Sequence, residues 1–145
     1  MDTKLENIYH QIPRSICEAR CGECCGIIFP SLAEVRNIKG WCEEHSVEYK
    51  DFNMTVGLDC PYLSKDKECI IYAVRPFLCR ILGVSTALPC PLGKCNSVKM
   101  LNHSQSSALY KAIYLHGKEK SRTERHRKLI KEWVWEWIVN SGGDK

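Results

Sequence analysis

The sequence predicts a small, irregular α+β fold, mostly helical, in which N- and C-terminal helices flank a short hairpin and a cysteine-rich body. Apolar residues recur with helical spacing near both ends of the chain, whereas proline, glycine and short apolar runs interrupt the middle. Ten cysteines lie in 145 residues, all of them between positions 17 and 95. We therefore expect a single domain over residues 1–145, with a cysteine-rich body at 14–95 and C-terminal helices at 96–145.

The first part of the chain carries two helix signals. Apolar residues spaced as on one helical face precede Pro13, which removes a backbone donor and should end the first helix; they are Leu5, Ile8, Tyr9 and Ile12. Ser31 and Glu34 form a capping-box pattern that should open a second helix ending near His45. Its expected inward face consists of Leu32, Val35, Ile38 and Cys42.

The middle and the end of the chain predict a hairpin and three further helices. Residues 60–63 and 69–72 are short apolar arms joined by a charged stretch, which is typical of a hairpin with one cysteine on each arm. Pro76 suits the first turn of a short helix, and residues 83–94 should form a loop. Helical spacing returns before Gly117 and again at 129–138.

Charge and hydropathy exclude some classes of protein. A formal net charge of +4 is well below that of a dedicated nucleic-acid binder. The first twenty residues lack the apolar region of a secretory signal, and no run approaches the ~20 apolar residues of a membrane span. We therefore expect a cytoplasmic protein with no membrane association. Disulfides are disfavoured in a reducing compartment, where cysteine clusters are typical of metal-binding or catalytic sites.

The densest cysteine cluster is a loop that places Cys17, Cys21 and Cys24 at a C-x3-C-x2-C spacing, with Cys25 following directly. Thiolate ligands favour zinc, cuprous copper or iron–sulfur clusters over hard cations. Zinc usually takes thiol pairs from two separate segments, whereas three closely spaced thiols suit three corners of a cubane. The loop therefore favours an iron–sulfur centre, with zinc as the alternative.

Four more cysteines are widely spaced, with eight, nine and ten residues between successive members; they are Cys60, Cys69, Cys79 and Cys90. They can join the first cluster only if the hairpin, the short helix and the following loop fold back onto it. The alternative for any one of them is an ordinary buried thiol. Cys42 lies on the inward face of its helix, and we expect it in the core.

The order of these motifs resembles the YkgJ-type cysteine-cluster family, which is named for its CxxCxxCC signature and associated with zinc or iron chelation. The resemblance runs from Cys17 to Cys25, through Cys60-Pro and the segment 69–80, to Cys90. It implies eight metal ligands, Cys17, Cys21, Cys24, Cys25, Cys60, Cys69, Cys79 and Cys90. Cys42 and Cys95 lie outside the pattern and are not expected to be ligands. The signature is also distantly similar to the cysteine motif of flagellin lysine N-methylases, which are much longer chains.

Arg75 and Arg80 bracket the short segment that carries Cys79. Several thiolates on one metal leave a net negative charge, which a guanidinium beside them would offset while donating hydrogen bonds to sulfur. Because the resemblance places Arg75 inside the motif, we expect it to contact the sulfur ligands of the cofactor and not the metal itself. The alternative is a surface ion pair.

The last third of the chain contains a basic segment, Arg122–Lys128, and three nearby tryptophans. Such a segment is usually the solvated face of a helix, although it could contact a protein partner or, with less support, a nucleic acid. Trp135 does not share the apolar face of its neighbours and is the better candidate for an exposed contact.

Three functions are compatible with these observations, and none names a substrate or a reaction. The first is a redox or electron-transfer protein with an iron–sulfur centre, most simply [4Fe-4S]. The second is a structural zinc module that acts through protein or nucleic-acid contacts. The third is a methyltransferase-related protein or accessory, although the chain has no G-x-G-x-x-G motif.

Overall fold

The computed structural model describes residues 2–15, 17, 21–26, 28–52, 59–95, 97 and 99–116. Within these residues the chain forms four α-helices and one 3₁₀ helix (Tyr72–Val74). The α-helices are α1 (Thr3–Tyr9), α2 (Leu32–Glu44), α3 (Phe77–Ile81) and α4 (His103–His116). The mostly helical character is confirmed. The β component of the predicted α+β class is wrong for the described residues, which contain only isolated bridges.

The predicted hairpin forms a tight reversal with a single bridge between Leu63 and Cys69. The Ser64 amide donates to the Glu68 carbonyl at 2.9 Å, and the Ile70 amide donates to the Tyr62 carbonyl at 2.9 Å. The ladder does not extend because the first arm is itself a turn, in which the Leu63 amide donates to the Cys60 carbonyl at 3.1 Å. Beyond Ile71 the second arm coils into the 3₁₀ helix. The reversal is therefore a hairpin without a sheet.

Helix α1 begins and ends close to where the sequence predicts. The Asp2 carboxylate accepts hydrogen bonds from the Lys4 and Leu5 amides at 3.0 and 3.2 Å, which satisfies donors that a helix start leaves unpaired. The helix buries Leu5 and Ile8 and ends at Tyr9, before Pro13.

Helix α2 has the predicted capping box, but its buried face is only partly the one expected. Ile38 and Cys42 are buried, whereas Leu32 and Val35 are half-buried and their neighbours Ala33 and Glu34 are buried in their place. Glu34 turns inward because its carboxylate accepts hydrogen bonds from other elements of the fold. The difference is confined to the first turn of the helix, since Ile38 and Cys42 are buried as predicted.

Helix α4 confirms the helix predicted before Gly117. Its residues Leu109 and Ile113 are buried, and the helix packs against α1, α2 and α3. His116 at its end lies 2.7 Å from the Asp2 carboxylate, so α4 closes over the start of α1. The hydrogen bond with His116 is the largest cause of a lowered pKa at Asp2.

The buried residues form two cores. The first joins α1, α3 and α4 and contains Leu5, Ile8, Phe77, Ile81, Val84, Leu101, Leu109 and Ile113. The second joins α2, the hairpin and the 3₁₀ helix and contains Ile38, Cys42, Phe52, Tyr62, Ile71 and Val74. The segment 71–77 runs from one core to the other, and it carries Arg75.

The basic segment Arg122–Lys128, the tryptophans and the helix predicted at 129–138 lie outside the described residues. The helices within the described ranges are all too short or too polar to cross a membrane.

Candidate metal centre

Seven cysteines from three parts of the chain, namely residues 17–25, the hairpin and α3, line one cavity. They are Cys17, Cys21, Cys24, Cys25, Cys60, Cys69 and Cys79. The described part of the wall adds apolar side chains, Ile28, Phe52 and Ile71 among them, and one cation, Arg75, but no histidine or carboxylate. The structure thus brings together seven of the eight predicted ligands. The eighth, Cys90, lies outside this cavity.

The loop carrying Cys21, Cys24 and Cys25 is held against the hairpin by Gly22. This glycine has a φ of +71°, and a Cβ at its position would lie 3.2 to 3.3 Å from the side chains of Leu63 and Lys67. The Cys25 amide then donates to the Gly22 carbonyl at 3.0 Å, which closes a turn. A residue without a side chain is needed both for this backbone conformation and for the close approach.

Within this loop, the adjacent thiols of Cys24 and Cys25 share a hydrogen bond. It lowers the pKa of Cys24 to about 6, with the charge of Arg75 acting in the same direction. The same hydrogen bond raises the pKa of Cys25. One member of the pair is therefore disposed to be a thiolate and the other a thiol.

Three thiols reach the cavity from the opposite wall. Cys60 and Cys69 lie on the two arms of the hairpin, and Cys79 lies on α3. Desolvation is the main cause that raises the pKa of each, and Cys60, Cys69 and Cys24 add to it at Cys79 through their charges. The charges of Cys24, Cys60 and Cys69 also raise the pKa of Cys25, so these electrostatic effects link five of the cavity thiols: Cys24, Cys25, Cys60, Cys69 and Cys79.

Helix α3 owes its position to Glu34, which sequence reasoning treated only as a helix cap. Glu34 Oε1 accepts hydrogen bonds from the Phe77 amide at 2.5 Å and from the Tyr9 hydroxyl at 2.9 Å. Oε2 accepts from the Ser31 amide at 2.8 Å. One buried carboxylate thereby joins α1, α2 and the start of α3. The capping-box spacing predicts the contact with Ser31 but carries no signal of the other two.

Arg80 holds the turn that precedes α3. Its guanidinium donates to the Arg75 carbonyl at 2.8 Å and to the Ala73 carbonyl at 2.9 Å, and it stacks on the Tyr9 ring at 4.1 Å. Desolvation is the main cause that lowers its pKa. Arg80 therefore acts on the backbone around Arg75, and it does not line the cavity among the described residues.

Arg75 lines the cavity. Its guanidinium lies 4.0 Å over the ring of Tyr72, and its charge acts on Cys24, Cys69 and Cys79. Its Nε is buried, and no described atom accepts a hydrogen bond from it. A buried donor without an acceptor is costly. The cavity therefore presents an unused N–H donor next to its thiols.

Cys90 forms a separate group with Cys95 and Cys17. Cys95 hydrogen-bonds with both of the other side chains, and desolvation, followed by these bonds, raises its pKa to about 12. Because Cys17 also lines the cavity, it is the link between the two groups. Sequence reasoning set Cys95 aside since the motif does not include it. The four-residue separation of Cys90 and Cys95 around Gly93 is a signal of their contact, whereas the spacing carries no signal of the contact between Cys95 and Cys17.

Cys42 is a core residue, as predicted. It is 1% exposed and packs in the second core with Ile38 and Tyr62. Burial raises the pKa of its thiol.

Comparison with known proteins identifies a family model that spans the thiol-bearing part of the chain. A family model, CxxCxxCC, described as "Putative zinc- or iron-chelating domain", matches residues 16–104. The chain belongs to the CxxCxxCC family. No curated protein and no solved structure matches the chain. The matched region of this CxxCxxCC domain contains all ten cysteines, Arg75 and the elements that position them.

The donor set of the CxxCxxCC domain fits a soft metal. Among the described lining residues, thiols are the groups that could bind a metal, and apolar side chains lie beside them. Arg75 supplies an N–H donor whose hydrogen bond a thiolate or sulfide would accept. Among the described residues, no group of three or more Cys, His, Asp or Glu side chains is arranged so that it could hold a metal ion.

Proposed function

We propose that this CxxCxxCC domain holds an iron–sulfur centre in the seven-cysteine cavity and serves in electron transfer or redox sensing. Metal binding itself is supported by both the family and the donor set. The observation that carries the iron–sulfur assignment is the thiol lining together with the buried Arg75 Nε, whose hydrogen bond the sulfides of a cluster would accept. The number of thiols suits both metals, because a [4Fe-4S] cluster and a tetrahedral zinc each take four.

Four of these thiols are the proposed primary ligands, namely Cys24, Cys60, Cys69 and Cys79. They are supported by their mutual electrostatic effects and by their origin in three segments that the cavity brings together. Cys17, Cys21 and Cys25 line the same cavity and can complete or replace this set. The predicted role of Cys90 as a ligand stays a prediction.

An iron–sulfur centre, most simply [4Fe-4S], would supply one-electron chemistry at a potential set by burial, charge and hydrogen bonds to sulfur. The protein's own contribution is specific. Arg75 would offset the negative charge of the thiolates and donate its Nε proton to a sulfur. The apolar wall of Ile28, Phe52 and Ile71 would exclude water from that side of the centre.

A structural zinc site is the second candidate, and one observation favours it. Cys60 and Cys69 form a pair on the hairpin, separate from the thiols of residues 17–25, and zinc usually takes thiol pairs from two separate segments. In that case the remaining cavity thiols would be spare, and the domain would act through contacts on its surface.

Anaerobic purification of the full chain, with iron, zinc and acid-labile sulfide measured per chain, distinguishes these candidates. Iron with an equimolar amount of sulfide and visible absorption supports the iron–sulfur proposal. Colourless protein with one zinc per chain and no sulfide contradicts it and establishes the zinc module. Protein that binds neither metal after reconstitution contradicts both.

A further inference from the structure

Cys90 and Cys95 form a thiol pair that the cavity does not use. The two cysteines lie on either side of a four-residue loop, Pro91-Leu92-Gly93-Lys94, and their side chains hydrogen-bond with each other. Neither lines the seven-cysteine cavity among the described residues. Cys95 also lies outside the motif that the sequence resembles. The pair is therefore not among the proposed primary ligands of the metal centre.

The loop between them folds the second cysteine back onto the first. The Gly93 amide donates to the Cys90 carbonyl at 3.0 Å, and Gly93 has a φ of +63°. The amides of Cys95, Leu92 and Lys94 lie near enough to the Cys90 sulfur to lower the pKa of its thiol. The backbone thus wraps around one sulfur and brings the other within hydrogen-bonding distance.

Gly83, in the turn after α3, packs closely against both cysteines of the pair. A Cβ placed on Gly83 would lie 2.8 Å from the Cys95 Cβ and 3.7 Å from the Cys90 Cβ. Gly83 itself has a φ of +83°, which a side chain would strain. Both cysteines therefore pack against the same point of the backbone, which limits how far they can separate.

The pair is reachable from solvent on one side. All four loop residues are exposed, with Leu92 at 45%, and Cys90 is partly exposed at the start of the loop. Cys95 is the more shielded partner, since it also contacts Cys17 and Gly83. An exposed thiol with a shielded neighbour is the arrangement that thiol–disulfide exchange requires.

We propose that Cys90 and Cys95 form a reversible dithiol–disulfide pair that exchanges with a low-molecular-weight disulfide. The Cys90 sulfur attacks one sulfur of the small disulfide, forming a mixed disulfide and releasing one small thiol. The Cys95 sulfur then attacks the Cys90 sulfur and releases the second small thiol. The two protons of the dithiol leave on these thiols, and its two electrons reduce the small disulfide.

This activity goes beyond the proposed metal centre and does not depend on it. It competes only with the predicted use of Cys90 as a ligand. Because Cys95 also hydrogen-bonds with Cys17, formation of the disulfide would alter a contact of the cavity wall. The pair would thereby report the thiol–disulfide balance to the centre.

The sequence makes the pair directly measurable. Trypsin cleaves after Lys94, so Cys90 falls in the peptide 81–94 and Cys95 in the peptide 95–99. Cys17 falls in a third peptide, 15–20. The purified full chain is incubated with oxidised glutathione, remaining thiols are alkylated, and the digest is analysed by mass spectrometry. We expect peptide 81–94 linked to 95–99, the loss of two alkylatable thiols per chain, and full reversal by dithiothreitol.

Two variants and one control complete the test. Cys95→Ser should stop the reaction at the mixed disulfide and accumulate glutathione on peptide 81–94, whereas Cys42→Ala should form the link as the wild type does. A link between 95–99 and 15–20 would overturn the pairing in favour of Cys17. Full alkylation of both thiols after equilibration would show that no exchange occurs. Reduced metal content in both Cys90→Ser and Cys95→Ser would make them ligands and overturn the proposal.

Discussion

At the scale of single residues, Arg75 is the non-cysteine side chain that most directly tests whether the cavity binds a metal. Its buried Nε has no acceptor among the described residues, and its charge acts on three cavity thiols. An isolated surface ion pair, the alternative considered from the sequence, does not describe this position.

We expect Arg75→Leu to retain the centre but change its properties. An iron–sulfur site should become harder to reduce because the added electron no longer gains from a nearby cation, and potentiometry should show a lower midpoint potential. A zinc site should lose about ten- to a hundredfold in affinity, measured by metal competition. Arg75→Lys should be intermediate since it keeps the charge without the planar donors.

The control for Arg75 is Arg36→Leu, which removes an exposed guanidinium from α2. If the titration curves of the two Arg75 variants match those of the wild type and of Arg36→Leu, the Arg75 side chain does not act on the metal.

The second prediction at this scale separates a proposed ligand from a core thiol. Cys79→Ser should lower the metal bound per chain because a serine hydroxyl is a poor ligand for a soft metal. Cys42→Ala should leave metal content unchanged and cost about 1 kcal/mol of stability, since it removes only a buried sulfur. Elemental analysis and urea unfolding measure the two effects. Equal metal loss in both variants would place Cys42 among the ligands.

At the scale of elements, the position of the site depends on how α3 is held. Glu34 accepts three hydrogen bonds from residues of different segments, and α3 itself is only five residues long. So short a helix has little stability of its own. The placement of Cys79 is therefore decided by the carboxylate of α2.

We expect Glu34→Gln to destabilise the fold by about 1–3 kcal/mol, because the amide replaces one acceptor by a donor that faces backbone N–H groups. Metal should also dissociate faster as α3 loosens. Urea unfolding and chelator-driven release measure both. Glu44→Gln, an exposed change at the end of α2, serves as the control. A Glu34→Gln variant that matches this control in both measurements would show that α3 is held by packing alone.

Alanine substitutions at two glycines should change the stability of the domain in opposite directions. Gly40 lies inside α2 with nothing within 4 Å of an added Cβ, so Gly40→Ala should stabilise the domain by about 0.5–1 kcal/mol. Gly83→Ala should destabilise by more than about 1 kcal/mol, since its φ is +83° and the added Cβ would meet Cys95 at 2.8 Å. Thermal unfolding of both variants checks the signs. A stabilised Gly83→Ala would mean that the loop at 90–95 moves away easily.

At the scale of the whole molecule, the cavity is where separate parts of the chain meet. Its thiols come from the 17–25 loop, the hairpin and α3, while its apolar wall includes Phe52 and Ile71 of the second core. A metal bound by these thiols would crosslink segments that are distant in sequence.

We expect removal of the metal by chelation to lower the melting temperature and reduce near-UV circular dichroism, because binding free energy in such domains is also folding free energy. Exposure of apolar surface should accompany it, detected by dye binding. Restoring the metal under reducing conditions should reverse the change. An apo form with the same melting temperature and spectrum would show that the cysteines are not needed to hold the segments together.

Several features could be predicted from the sequence because their causes are local. The capping box at Ser31, the end of α1 before Pro13 and the hairpin reversal depend on residues within a few positions of each other. Cys42 was placed in the core by helical spacing alone. The thiol-rich composition and its spacing likewise predicted a metal-binding domain, which the family match supports, whereas the set of ligands stays a prediction.

The tertiary structure decided what depends on distant residues. It showed that the hairpin does not extend into a sheet, that Glu34 faces inward to hold α3, and that Arg75 lines the thiol cavity. It also divided the cysteines, placing seven around one cavity and pairing Cys90 with Cys95. Spacing along the chain determines which thiols can share a loop. Only the packing of α2, α3 and the hairpin determines which thiols of different loops face each other.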